Sequence, residues 1–129
     1  MYNPPVMKEV KMNIKMFSNL VGLSDYTLRY YEKIGLLKNV QRNTSGHRVY
    51  TEKDVKWVGF VIRLKETAMP LEEILEYARL RELGNNSVLE RQALLEQHQQ
   101  RLKAHIEQQQ SHLSALEYKI DLYKDGKVS

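Results

Sequence analysis

SDYTLRYYEKIGLLKNVQRNTSGHRVY, residues 24–50, decides how this chain folds. Its first part reads as a helix: Ser24 stands where an N-cap belongs, Thr27, Leu28, Tyr31 and Ile34 keep a helical period, and Gly35 supplies the stop. The pattern then changes. After Leu36 and Leu37, Val40 and Val49 flank Asn43-Thr44-Ser45-Gly46, which is turn chemistry between two short extended runs. A small β-hairpin is expected there, set beside the helix as a wing.

Upstream, Ile14, Phe17, Leu20 and Val21 recur at helical spacing and Gly22 ends the run. Helix, glycine-containing turn, helix is the arrangement that sets a second helix in a major groove. Residues 1–11, with Pro4 and Pro5 and no helical period, read as a flexible leader, and Met12 is a second candidate start. Downstream, Thr51 is placed to cap a helix whose stripe is Val55, Val58, Val61, Ile62 and Leu64, running to about Thr67. Pro70 is expected in the first turn of a further helix over residues 71–83, closed by Gly84, Asn85 and Asn86.

From residue 87 to 124 there is no Pro or Gly and most residues are strong helix formers. Such a helix would run about 57 Å, more than a small domain buries alone. Leu95, Gln99, Leu102, Ile106 and Gln109 begin a 4-3 series that Leu113, Leu116, Ile120 and Tyr123 continue. This is a coiled-coil seam with two polar interruptions. The leucines, isoleucines and Tyr123 of the series are the candidate dimerisation residues, and an antiparallel homodimer is expected. The fold class is therefore mainly α: a winged helix-turn-helix head over residues 12–84 and a coiled-coil helix with a short tail over residues 85–129.

Charge follows the same division. Residues 1–66 carry 12 Lys/Arg against 6 Asp/Glu, and residues 67–129 carry 8 against 10. Phosphate neutralisation needs cations only where a duplex lies, so double-stranded DNA is the expected partner of the first half. On the second helix of the head, Tyr26, Thr27, Arg29, Tyr30 and Lys33 are not committed to its apolar side. Arg29 suits a bidentate contact to guanine or a clamp on a phosphate, and the hydroxyls suit phosphate or base-edge contacts. The wing adds Arg42, His47, Arg48 and Tyr50, and Lys15 and Ser24 complete the candidate DNA contacts. Packing competes for Tyr31 and Tyr50.

Other chemistry is thinly represented. The 129 residues hold no cysteine, which removes disulfides, thiolate ligands and thiol redox chemistry. His98, His105 and His112 lie seven apart, about 10.5 Å between neighbours along a helix, too far for a shared metal or an acid/base pair within one chain. They fall beside the seam, where an antiparallel dimer would let them pair across chains. No enzyme activity, cofactor or metal is expected. No apolar run reaches membrane-spanning length, and a cytoplasmic location is the default expectation.

Thr27 to Leu37, T-L-R-Y-Y-E-x-x-G-L-L, followed by Arg42 to Tyr50, R-x-x-x-G-x-R-x-Y, resembles the DNA-binding head of the MerR family. The likeness continues through Thr51, Asp54, Trp57 and the run from Leu64 to Met69 into the long last helix. It implies a dimer that binds a near-palindromic promoter operator, then bends and untwists an overlong spacer so that RNA polymerase engages both promoter elements. Residues 64–69 and the tail YKIDLYK look most like the aldehyde-responsive branch. Members of that branch with a sensing thiol carry cysteine immediately before the Leu-Lys pair, where this chain has Arg63. An effector, where one exists, is thus expected to bind non-covalently, at Trp57, Arg63, Met69 and Tyr77. Two other classes fit parts of the pattern: an architectural DNA-binding protein, with a small preference for its site over bulk DNA, and a coiled-coil adaptor, which would not need the basic wing.

Overall fold

The computed structural model describes residues 10–128; of the expected leader, residues 1–9 lie outside the described residues. The chain divides into two compact units, one up to Asn85 and one from Asn86 onward. The first contains helix α1 (Ile14–Val21), helix α2 (Asp25–Ile34), strands β1 (Gln41–Arg42) and β2 (Arg48–Val49), helix α3 (Glu52–Glu66) and helix α4 (Leu71–Glu82). The second is dominated by helix α5 (Val88–Lys124).

The helix boundaries are set by local chemistry. The Asn13 side chain accepts the Met16 N–H at 2.9 Å and starts α1. Gly22, left-handed at φ 73°, ends it, and only a residue without a Cβ adopts that turn without strain. Ser24 Oγ accepts the Thr27 N–H at 3.1 Å and starts α2. At the other end, Gly35 is left-handed at φ 90°, and the Leu36 N–H returns to the Tyr31 carbonyl at 2.8 Å. In α3 the Asp54 carboxylate accepts the Thr51 N–H at 3.0 Å, forming a capping box.

Pro70 differs from its expected place. It is the N-cap of α4, with extended ψ of 144°, and its carbonyl accepts the first helical hydrogen bond, from the Ile74 N–H at 3.1 Å, so that Leu71 is the first helical residue. Gly84 is left-handed at φ 69°, but Asn85 and Asn86 continue through a short 3-10 turn, Gly84–Ser87, instead of leaving helical geometry. One glycine suffices to break the backbone between α4 and α5.

The wing is a two-stranded antiparallel ladder with Gln41 opposite Val49 and Arg42 opposite Arg48. Asn43 organises its tip: the side-chain carbonyl accepts both the Ser45 and His47 N–H groups at 3.0 Å. Met12 and Tyr50 exchange two backbone hydrogen bonds at 2.8 Å, which lays the strand leading into α1 against the strand leaving the wing. Phe17, Leu28, Tyr31, Leu36, Leu37, Tyr50, Val58, Val61 and Ile74 fill the core between α1, α2, α3 and α4. Trp57 donates its indole N–H to the Leu36 carbonyl at 2.6 Å, fixing α3 against the end of α2. Val55 and Ile62 of the expected stripe are only half-buried.

The turn between α3 and α4 carries a removable strain. Ala68 is left-handed at φ 65°, a conformation that costs an L-residue about 1–2 kcal/mol. It persists because the Met69 N–H reaches back to the Leu64 carbonyl at 2.9 Å and closes α3. Ala68→Gly is expected to raise unfolding stability by about 1 kcal/mol, measured by chemical denaturation. A loss of stability would show that the Ala68 methyl group packs more usefully than its backbone strains.

In the second unit, the 37 residues of α5 extend for about 55 Å. Ile106, Leu113, Leu116, Ile120 and Tyr123 are all more than two-fifths exposed, and Leu95 and Leu102 are half-buried. The three histidines are not equivalent: His98 is buried, whereas His105 and His112 are exposed. Only the last two stand as free flanks of the seam.

Candidate nucleic-acid interface

Helix α2 buries Leu28 and Tyr31 and thereby turns its remaining face outward. Arg29 and Lys33 are exposed on it, Tyr30 is 44% exposed, and Tyr26, at 80%, projects almost wholly into solvent. Thr27 is half-buried, and its hydroxyl accepts a hydrogen bond from Ser24 Oγ at 2.9 Å. Ser24 is therefore occupied as a cap while its exposed edge faces solvent. Lys15 is exposed on α1. A helix that offers one arginine, one lysine and two phenols from a rigid scaffold has the donors that duplex recognition uses.

The wing brings more cations to the same head. His47 is exposed, and Arg42, also exposed, donates from Nη1 to the Gly46 carbonyl at 2.7 Å, stiffening the tip. Arg48 is half-buried, and its Nε donates to the Glu32 carboxylate at 2.7 Å, an ion pair between the wing and α2. Lys11, Asn13, Arg29, Arg42, Asn43, His47 and Arg48 line one open cleft of about 630 Å³. Arginines distant in sequence are thus gathered on one concave surface.

Tyr50 requires a correction. The expectation that it reaches DNA does not fit its position, since it is fully enclosed and its ring meets Phe17 edge-to-face at 4.3 Å and 82°. Its hydroxyl is buried with no hydrogen-bond partner among the described residues. Burial, reinforced by the nearby Glu32 carboxylate and opposed by Arg48 and Arg29, pushes the phenol above its ordinary pKa, so it stays neutral. Strand alternation alone would set Tyr50 on the face of Arg48, two residues before it; instead the chain has left β2 at Tyr50, pairs there with Met12, and the ring lies in the core against Phe17.

Sequence reasoning missed Glu32, Lys11 and Asn13. A search for cations passes over an acid and over an amide such as Asn13, and a leader drawn to residue 11 hides Lys11. Of the residues expected at an effector site, Trp57 and Tyr77 do come together, with near-parallel rings 5.8 Å apart. Phe60 lies 5.6 Å from Tyr77, and the Arg81 guanidinium covers the Trp57 ring at 4.3 Å. Met69 is buried and Arg63 is exposed. The Trp57 face and its N–H are both already engaged within the head.

Arg29 offers a direct test of base reading. Arg29→Ala is expected to relax preference at one base pair of each half-site by about 1–3 kcal/mol, measured by competition binding across single-base variants of a bound palindrome. A uniform loss over all variants would make Arg29 a backbone contact instead.

Comparison with known proteins gives the family. Residues 12–80 match the model of the MerR HTH family regulatory proteins, and residues 55–118 match the model described as MerR, DNA binding. An uncharacterized HTH-type transcriptional regulator of Haemophilus influenzae is 38% identical over 108 residues, covering 84% of this chain and 80% of that protein. The HTH-type transcriptional regulator AdhR of Bacillus subtilis is 38% identical over 91 residues, covering 70% of this chain and 65% of its own. Among solved structures, HiNmlR, a MerR family regulator lacking the sensor domain and bound to promoter DNA, superposes with a TM-score of 0.81 at 35% identity. That match covers 92% of this chain and 94% of HiNmlR. A MerR family transcriptional regulator from Listeria monocytogenes gives a TM-score of 0.83 at 34% identity, covering 88% and 86%. With the winged head, its outward basic helix and the long terminal helix all present, the chain belongs to the MerR family of helix-turn-helix transcriptional regulators.

Proposed function

We propose that this regulator binds a near-palindromic promoter operator as an antiparallel homodimer, with α2 of each head in a major groove and the wing on the flanking backbone. The observation that carries the reading is the concave basic surface formed jointly by α2 and the wing, on a head similar to one bound to promoter DNA. Two heads joined through α5 would hold two half-sites at fixed separation, which is why a palindrome is expected. By gripping both ends the dimer can stabilise a bent and untwisted spacer, and sequence preference at untouched base pairs then follows from deformability. RNA polymerase is the partner that reads the changed spacer. The protein acts by binding, without a chemical step, in the cytoplasm; among the described residues no helix is long and apolar enough to cross a membrane.

Any effector acts non-covalently, because methionine thioether is the only sulfur in these 129 residues and Arg63 is a permanently charged, poor nucleophile. Selection from random duplexes tests the function. A palindrome bound at least about 10³-fold more tightly than bulk DNA is expected. A ratio near one would favour the architectural reading.

A further inference from the structure

The Arg48–Glu32 pair puts an acid into a face meant for phosphate, where a carboxylate repels the ligand. Glu32 lies on α2, facing the wing, and is half-buried. It takes only the Nε edge of Arg48, at 2.7 Å. The Nη edge of that guanidinium makes no hydrogen bond among the described residues, and Arg48 lines the cleft together with Arg29 of α2 and Arg42 of the wing. Guanidinium is a planar fork whose two edges serve two oxyanions at once, which an ammonium group does with less directional control. The wing itself is a two-residue ladder, marginal as a hairpin on its own, so a tie to α2 also fixes its place on the head.

We propose that Glu32 is a positioning residue for DNA binding. By holding Arg48 through Nε it turns the Nη edge into the cleft, so that Arg48 and Arg42 of the wing close on one backbone phosphate beside the base-reading Arg29. Recognition helix and wing then grip the duplex as one body, and the rotamer entropy of Arg48 is lost on folding and not on binding. The inference rests on the DNA-binding reading and deepens it by naming the group that orients the clamp. It also changes what Arg48 is: a phosphate contact whose aim depends on α2.

The sign of one substitution separates this role from that of a bystander acid. Deleting a carboxylate beside DNA should tighten binding when the carboxylate only repels; deleting one that aims an arginine should weaken it. Binding of the full-length chain to a mixed-sequence duplex, followed by fluorescence anisotropy over a salt series, reads both affinity and the number of phosphates engaged. Glu32→Ala and Arg48→Ala are each expected to weaken binding about tenfold and to flatten the salt slope by about 1. In the Arg48→Ala background, Glu32→Ala should flatten it no further and should tighten binding, since only repulsion is left. Glu32→Gln keeps an acceptor for Nε, so it should fall between wild type and Glu32→Ala, and it serves as the second variant where the alanine melts too low to assay. Unchanged or steeper salt dependence in Glu32→Ala and Glu32→Gln would overturn the proposal, as would an Arg48→Ala slope equal to wild type. Absence of salt-dependent binding by the wild-type protein would instead sink the DNA-binding reading beneath it.

Discussion

Replacing Ile106 and Leu113 together with lysine is expected to convert the dimer to monomers and to weaken operator binding by about 10²- to 10⁴-fold, the usual loss when two linked modules become one. Both side chains are already exposed in the single chain, at 47% and 54%. Lysine at either position therefore removes nothing from the fold of one protomer, and helix propensity hardly changes. Any fall in association must come from contacts with a second copy, where four charges would be forced into an apolar seam. Sedimentation measures the association, and circular dichroism confirms that the helix persists at high concentration. A double variant that still sediments as a dimer would show that α5 does not carry the interface through this seam.

Tyr50 gives the second large effect, split between its ring and its hydroxyl. Tyr50→Ala is expected to cost about 3–5 kcal/mol of stability, the range for emptying a fully buried aromatic site, because Phe17 loses its edge-to-face partner at the junction of α1 and the wing. Tyr50→Phe removes only an oxygen that has no partner among the described residues. It should leave stability unchanged or raise it by up to about 1 kcal/mol, and DNA affinity should stay at the wild-type value. Thermal unfolding and anisotropy read the two quantities separately. Weaker DNA binding by Tyr50→Phe at full stability would restore Tyr50 to the interface.

The contrast between Tyr50 and its neighbours shows what the sequence makes legible. Gly22, Ser24 and Gly35 punctuate α1 and α2 through backbone rules that act within four residues, so the helix-turn-helix can be read directly. Asn43 to Gly46 announces its turn in the same way. Tyr50, Glu32 and Arg48 obey no such local rule. Whether Tyr50 faces water depends on its bridge to Met12, 38 positions away, and whether Arg48 is free depends on an acid on another helix. Pro70 is intermediate: its presence marks a boundary, but its ψ of 144°, which makes it the cap and not the first turn, is not written in the local sequence. The apolar seam of α5 is visible in sequence because its period is regular, while the burial of His98 on the same helix is not.

Guanine N7 methylation interference on the selected palindrome tests the central claim most directly, because N7 lies in the major groove and marks where a helix must enter. Two symmetric clusters of interfering guanines are expected on one face of the duplex, one per half-site, with two protomers bound. Arg29→Ala is expected to erase the strongest signal in each cluster while leaving the spacing intact. A single cluster, interference spread evenly along the duplex, or no major-groove interference at all would contradict the claim.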